Sequence, residues 1–340
     1  MTPSISVCIP TLNRAPHLRG AIESVLASTL QDFEIVVSDN ASDDNTEEIV
    51  QSFQDPRICY VRHKRRIPIQ SNWTAALFHA RSELLFKLDD DDRIEPAFLE
   101  KTVQFLKSHP EASSVYTAFL VQSPGGRPVP IVDDHFFGNR VLCDGVEYCR
   151  AILLNRNLPQ NHKSAGVFRA VCAREARYFD RCLTDIIFTM AIAAQGSVGY
   201  LREPLFRYVL HGGEHEAGRV VRVADMYLKG LHNLFDLDVV KEQAAVSDLR
   251  EEVLHQHRRL APIFYTHLSF RNHGRVKGLE VARHFLREDP SLSRALLFLS
   301  SVAVLALLPR QVVHYLITYY YKAVWPKRLV NVVMKLSRSS

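Results

Sequence analysis

The stretch LLFKLDDDD, residues 84–92, decides how this chain is read. An apolar, strand-like run that includes Lys87 leads straight into four consecutive aspartates, Asp89 to Asp92. Adjacent carboxylates repel one another, and an acidic cluster at the end of a buried strand costs stability unless a cation sits there. Oxygen-only donors of this kind suit a hard divalent ion, Mg²⁺ or Mn²⁺. Held by one or two carboxylates, such an ion keeps positions open for a substrate diphosphate.

Upstream of this stretch, strand and helix patterns alternate. Ile5, Val7 and Ile9 alternate as a strand that is expected to stop at Pro10. Pro16 sits where a first helical turn tolerates it, and Leu18, Ile22, Val25 and Leu26 share one helical face. Residues 33–37 (FEIVV) form a short run expected to be buried on both faces. Asp44, with Glu47 three residues on, resembles a capping arrangement before Ile49, Val50 and Phe53. Residues 58–61 are a third strand, Trp73, Leu77 and Ala80 mark a helix, and residues 84–88 are a fourth strand. Strands alternating with helices imply a mostly parallel sheet with helices on both faces. Ligands of such sheets bind beyond the carboxyl ends of the strands. Three polar clusters fall there: Thr11-Leu12-Asn13-Arg14, Ser38-Asp39-Asn40 and Asp89 to Asp92.

Downstream the pattern is less regular. Residues 97–107 read as a helix, Pro124-Gly125-Gly126 as a turn and 155–163 as a polar loop. Residues 185–194 read as a helix with Ile186, Ile187, Met190 and Ala193 buried. Two short strands, 199–201 and 205–209, precede a loop at His211-Gly212-Gly213, and 220–290 reads as helices with charged surfaces.

The 340 residues are 47% hydrophobic and 23% charged, as expected of a chain with a real core. The six cysteines form no CxxC pair, which argues against a zinc site or a disulfide framework and for buried thiols in a reducing compartment. The first residues, MTPSISVCIPTLNR, lack the basic and apolar regions of a signal peptide, so a cytoplasmic start is expected. The net charge of +5 is concentrated at one end: residues 294–340 hold seven Lys or Arg and no Asp or Glu, whereas 1–293 hold 35 basic and 37 acidic residues. The body is therefore not expected to bind nucleic acid. The tail carries an apolar run over 295–309, the triple Tyr319-Tyr320-Tyr321, Trp325, and Lys327-Arg328. Apolar, aromatic and basic residues in this mixture suit a helix pair lying in a membrane interface. A span needs roughly 20 apolar residues, and Arg310 would cut this one. A helical cap or an oligomer contact is the alternative.

These pieces together resemble family 2 glycosyltransferases of the GT-A fold. The resemblance is carried by PTLNR (10–14), SDNASDDNT (38–46), Asn72-Trp73, and LDDDD (88–92) followed by Pro96. It continues through GVFR (166–169), Phe179-Asp180, Thr184-Asp185, Glu203-Pro204-Leu205 and RYVLHGG (207–213). The implied fold is a GT-A nucleotide-diphospho-sugar transferase, α/β, with a Rossmann-like, mostly parallel sheet flanked by helices and a C-terminal helical, membrane-associating extension. The implied organisation is a catalytic domain over 1–215, a helical extension over 216–293 and the membrane-associating tail over 294–340. Within the catalytic domain, residues 1–96 form the nucleotide-sugar half and 97–215 the acceptor half.

The resemblance also assigns roles. Pro10, Thr11, Asn13, Arg14 and Asn72 line the nucleotide side, and Asp39 accepts a hydrogen bond from the base. Asp91 is the main metal ligand, for Mn²⁺ or Mg²⁺. Asp89 sits on the ribose or a metal-bound water, and Asp90 shares the donor site, with a register slip to Asp90 and Asp92 open. His211 is a second candidate for the metal. Asp185 is the general base, with Asp180 the alternative and a helix N-cap the bland reading of Asp185. The expected activity is metal-dependent, inverting transfer from a UDP-, GDP- or dTDP-sugar to a glycan acceptor, lipid-linked in view of the tail. It would belong to bacterial surface polysaccharide or lipopolysaccharide synthesis, at the inner face of the cytoplasmic membrane. A nucleotidyltransferase would be expected to carry a glycine-rich loop where PTLNR stands. A non-catalytic binding protein would not need Asp39, Asp91 and Asp185 together.

Overall fold

A computed structural model describes residues 2–123, 125–133, 136–153, 165–177, 185–210, 233–251, 253–254 and 275–288. Two compact units emerge, one of residues 1–211 with 233–248, the other of 212–232 with 249–340. In the second, the longest described element is a helix, Arg275–Glu288. Among the described residues no helix is long and apolar enough to cross a membrane. The tail 294–340, the loop 155–163 and the GG of the 211–213 loop lie outside the described residues.

The first unit is built on one ten-stranded sheet. Its path runs β3 (Ile58–Arg62), β2 (Phe33–Asp39), β1 (Ile5–Thr11), β4 (Leu84–Lys87), β9 (Gly166–Arg169), β6 (Ala112–Gln122), β10 (Ser197–Val209) and β5 (Arg93–Ile94). β7 (Val129–Ile131) pairs with β6, and β8 (Leu142–Cys143) with β10. β3, β2, β1 and β4 are mutually parallel, β9 runs antiparallel between β4 and β6, and β6 and β10 are again parallel. Every residue of β1 and β2 is buried. Both faces of these strands are therefore covered, as parallel strands require. The helices α1 (Ala15–Leu26), α2 (Thr46–Ser52), α3 (Ile69–Phe78), α4 (Phe98–Ser108), α5 (Gly145–Leu153), α6 (Ala170–Glu175) and α7 (Asp185–Ala193) flank the sheet. α3 packs on β1 and β2, α4 on β6 and β10, and α7 on α5 and β6.

Three local expectations are corrected. β1 does not stop at Pro10 but runs through it to Thr11. Cys8 accepts from the Leu88 N–H on the β4 side, and Pro10, two residues on, faces the same way. β4 has already left the ladder there, so the missing Pro10 N–H forfeits no bond. The two short strands before residue 210 are one 13-residue strand, β10, whose register shifts around Pro204, where no N–H is available to continue the ladder. In α7, Ile187, Met190 and Ala193 are buried as expected, but Ile186 is only half-buried.

Asp44 does more than cap one helix. Its carboxylate accepts from the Thr46 N–H at 3.2 Å and from the Ala15 N–H at 3.0 Å, so it holds the first residues of α2 and α1 together. Glu47 does not close the capping box; it faces Gln51 and Arg62. Gly166 of the GVFR motif has a packing reason: a Cβ there would sit 2.2 Å from the Tyr116 ring on β6.

Candidate active site

Because β1 to β4 run parallel, their carboxyl ends share one edge. Thr11 pairs with Asp39, Asp39 with Arg62, and Cys8 with Lys87 across the ladder. The three polar clusters of the sequence are thereby brought together on that edge.

The four aspartates have different surroundings. Lys87 Nζ donates to Asp89 at 2.8 Å. Asp90 is buried and accepts from the Thr11 hydroxyl at 2.7 Å and from Arg14 at 3.2 Å. Desolvation pushes the Asp90 carboxyl up to about 6, against the pull of Thr11 and Arg14. Asp92 is 1% exposed and accepts from the Val209 N–H at 3.0 Å, stitching the acidic turn to the end of β10. Burial, reinforced by Asp89 and Asp91, pushes it up to about 9. Asp91 turns toward the rim, where the half-exposed guanidinium of Arg14 pairs with it. Asp90 and Asp92 thus point into the protein, and Asp89 and Asp91 keep solvent-accessible side chains.

Asp185 begins α7, on the acceptor side of the chain, and its carboxylate lies 3.1 Å from Lys87 Nζ. One ammonium therefore touches both Asp89 and Asp185. The Asp185 side chain remains 35% exposed and that of Lys87 only 5%. The Trp73 ring closes the space beside the ammonium, 4.2 Å from Nζ. Burial works against the charge on Lys87, but Asp185 and Asp89 more than offset it and hold the ammonium above the ordinary lysine range. Desolvation also raises the Asp185 carboxyl, with Lys87 opposing. Without the lysine, two carboxylates within about 6 Å of each other would repel by about 3 kcal/mol at an effective dielectric of ~20. Sequence reasoning missed Lys87. The available signal was a single lysine inside a strand otherwise buried and apolar, two residues before the first aspartate.

On the nucleotide side, Asp39 is 1% exposed. One of its oxygens accepts from the Ser42 N–H at 2.9 Å and hydroxyl at 2.5 Å. The other accepts from Tyr60 at 2.5 Å and lies 3.6 Å from the Arg62 guanidinium. Asn13 adopts a positive φ of 55°, donates its N–H to Ser42 at 2.9 Å and accepts from the Asp43 N–H at 2.7 Å, so PTLNR is bound to the SDN loop. Asn72 is buried: it accepts from the Ser38 hydroxyl at 2.8 Å, donates to the Ser38 carbonyl at 3.1 Å, and has His63 Nε2 3.0 Å away. Pro10 is buried within β1. Thr11 and Asp39 are buried to the same degree. The basic run 62–66 folds onto the same loop, with Arg62 donating to the Ser42 carbonyl and Arg66 pairing with Asp43. His211 and Asp180 lie outside the described residues.

Among the described residues no three or more His, Cys, Asp or Glu side chains form a metal cage. Asp91 and Asp89 present carboxylate oxygens at the rim, donors of the type that hard divalent ions take. An ion held by one or two such carboxylates would keep positions open for a substrate diphosphate.

This fold is that of the GT-A nucleotide-diphospho-sugar transferases. Residues 6–150 match the family model for glycosyl transferase family 2, so this part of the chain carries that family's domain, and with relatives named as glycosyltransferases it marks the chain as a transferase enzyme. EpsE of Bacillus subtilis, a protein named for glycosyl transfer, is 26% identical over 213 residues, 60% of this chain and 72% of its own. The GalNAc(5)-diNAcBac-PP-undecaprenol beta-1,3-glucosyltransferase of Campylobacter jejuni is 33% identical over 126 residues, 36% of this chain and 40% of its own. Among solved structures, Staphylococcus aureus TarS 1-349 in complex with UDP superposes with a TM-score of 0.59 at 16% identity, covering 93% of this chain and 90% of that one. The mannosyltransferase PcManGT of Pyrobaculum calidifontis, in complex with GDP-Man and Mn²⁺, gives 0.51 at 18% identity, covering 96% and 88%.

Proposed function

We propose that this protein is a metal-dependent, inverting glycosyltransferase that moves a sugar from a nucleoside-diphosphate donor to a lipid-linked glycan at the cytoplasmic face of a bacterial membrane. The observation that carries the reading is that Asp89 and Asp185, from opposite halves of the chain, share one ammonium beside the acidic turn.

Thr11, Asn13 and Arg14 form the lip over which the nucleotide lies, and Asp39 with Tyr60 and Arg62 meets its base. Asp91, with Asp89, would hold Mn²⁺ or Mg²⁺, which when bound screens the charge of the departing diphosphate. Asp185 takes the proton of the acceptor hydroxyl. As that oxygen bonds to the anomeric carbon, the bond from this carbon to the diphosphate breaks and its electron pair leaves with the phosphate. A single displacement from the far face inverts the anomeric configuration. The Campylobacter relative, whose named acceptor is a diphospho-undecaprenol glycan, supports a lipid-linked acceptor. The basic, aromatic tail over 294–340 supports action at a membrane surface.

The test is a panel of UDP-glucose, UDP-GlcNAc, UDP-galactose, GDP-mannose and dTDP-rhamnose, assayed for nucleoside diphosphate release with Mn²⁺, with Mg²⁺ and with EDTA. Release with a divalent ion that EDTA abolishes is expected. Equal release in EDTA removes the metal assignment, and no release from any donor removes the enzymatic reading.

A further inference from the structure

We propose that Lys87 is a positioning residue: its ammonium fixes the Asp185 carboxylate against the acidic turn and so sets the distance between the base and the departing diphosphate. The proposal rests on the reading of Asp185 as the base and deepens it.

The geometry has three parts. Lys87 is the last residue of β4, and Nζ reaches Asp89 at 2.8 Å and Asp185 at 3.1 Å. The Trp73 ring, 4.2 Å away, fills the side of the ammonium that faces α3. Asp185 opens the described part of α7, a helix that packs on α5 and β6 in the other half of the sheet. The lysine therefore supplies a fixed reference on a central strand for a carboxylate that comes from a different element. Asp89 on the same ammonium ties that reference to the turn carrying Asp91.

Stability accounts for part of this lysine, since it offsets the repulsion between Asp89 and Asp185, but burying an ammonium is itself expensive and an apolar strand with no carboxylates beside it would avoid both costs. The strand around it is apolar: Leu84, Leu85 and Phe86 are buried, and so is Leu88 beyond it. A leucine or methionine would match those neighbours along the strand but would put no positive charge between Asp89 and Asp185. What such a residue could not do is hold two carboxylates in one arrangement. A base displaced by 1 Å can lose a hundredfold in rate without any loss of binding.

Lys87→Met and Lys87→Gln are prepared in the full chain, alongside Asp185→Asn and the double variant Lys87→Met/Asp185→Asn. Each is measured for thermal unfolding, for UDP affinity by calorimetry with Mn²⁺, and for kcat and KM on the donor panel. The glutamine variant keeps a polar stem without the charge, so a folding failure of one substitution leaves the other to decide. The expected result is a kcat about 100-fold lower for either Lys87 variant, with UDP affinity and donor KM within threefold of the unsubstituted enzyme. The double variant is expected to fall no further than Asp185→Asn alone. A purely structural lysine would lower the unfolding temperature and leave kcat intact, and that result overturns the proposal. Losses that multiply in the double variant overturn it as well, because the lysine then acts by another route. If Asp185→Asn keeps full turnover, or no donor is turned over at all, the reading of the site fails separately. A crystal structure of Lys87→Met then decides the positioning claim: an Asp185 carboxylate that has left its place supports it, and an unmoved one overturns it.

Discussion

Thr11 and Asp90 are joined by a 2.7 Å hydrogen bond that ties the end of β1 to the acidic turn after β4. The bond, with Arg14 on the other oxygen, makes Asp90 a structural member of the turn. The cost of burying it remains visible, since desolvation pushes its carboxyl up to about 6. A folded-state pKa above the unfolded value means that the group's favourable contribution is complete below about pH 4 and is lost as pH rises through about 6. In metal-free protein, Asp90→Asn should therefore gain on the unsubstituted chain between pH 4 and 7. The gain should be about 3 kcal/mol at most, since each tenfold change in proton affinity is worth about 1.4 kcal/mol. Urea unfolding of both proteins at several pH values in EDTA checks this; a difference that does not change with pH would count against it.

Asp91 should behave in the opposite way. It stands at the rim, paired with the half-exposed Arg14. Asp91→Asn should lower Mn²⁺-dependent turnover by at least a hundredfold and change the unfolding free energy by less than about 0.5 kcal/mol, the usual range for surface substitutions. Asp90→Asn should leave the Mn²⁺ midpoint within a few-fold. Manganese titrations of turnover, read beside thermal unfolding, separate the two residues. The reverse ranking would move the metal to the slipped register.

Much of this site was legible because of chemistry that local sequence exposes. Parallel strands end on one edge, and a polar cluster after each of β1, β2 and β4 marks that edge without any coordinates. The order of the strands was not legible. β9 enters antiparallel between β4 and β6 from a position some eighty residues downstream, and no local pattern encodes that pairing. The divided roles of the aspartates were hidden for a related reason. Four identical residues differ in the neighbours that meet them: Lys87 of their own strand at Asp89, Thr11 of β1 at Asp90, Arg14 before α1 at Asp91 and Val209 of β10 at Asp92. The expected stop at Pro10 and the expected break between 201 and 205 failed for opposite reasons. Pro10 sits where the neighbouring strand has already departed, Pro204 where a single long strand absorbs it by shifting register.

Asp39 carries two loads, and substitution should separate them. Its buried carboxylate receives Ser42 twice and Tyr60 once, so Asp39→Ala leaves several buried donors without acceptors. A loss of about 2–4 kcal/mol in stability is expected. Tyr60→Phe removes one of these bonds and should cost about 1 kcal/mol. Burial and Asp39 hold the Tyr60 phenol above its ordinary range, so it remains a donor across the working pH range and the cost should not vary between pH 6 and 9. Urea unfolding measures the stability of each variant, and calorimetry with UDP and Mn²⁺ measures the base side. If Asp39 contacts the nucleotide base, Asp39→Asn weakens UDP by at least tenfold, whereas Tyr60→Phe changes it by less.

The tail offers a prediction that needs only its charges. Residues 294–340 hold seven basic and no acidic side chains beside an apolar and aromatic stretch. Each Lys or Arg near an anionic leaflet contributes about 1 kcal/mol, within a Debye length of the surface. Replacing Lys322, Lys327, Arg328 and Lys335 by Gln in the full chain removes four of these charges and leaves the apolar residues in place. Sedimentation with vesicles containing 30% phosphatidylserine should then weaken at least tenfold, and the unsubstituted chain should show a steep loss between 50 and 300 mM salt that the variant lacks. Turnover of a soluble donor without acceptor should be the same in both proteins, because the charges act on where the enzyme sits and not on Asp91 or Asp185. Equal sedimentation of the two proteins at every salt concentration would show that the basic residues do not hold the chain to a membrane. The lipid-linked acceptor would then lose the support it draws from the tail and would rest on the Campylobacter relative alone.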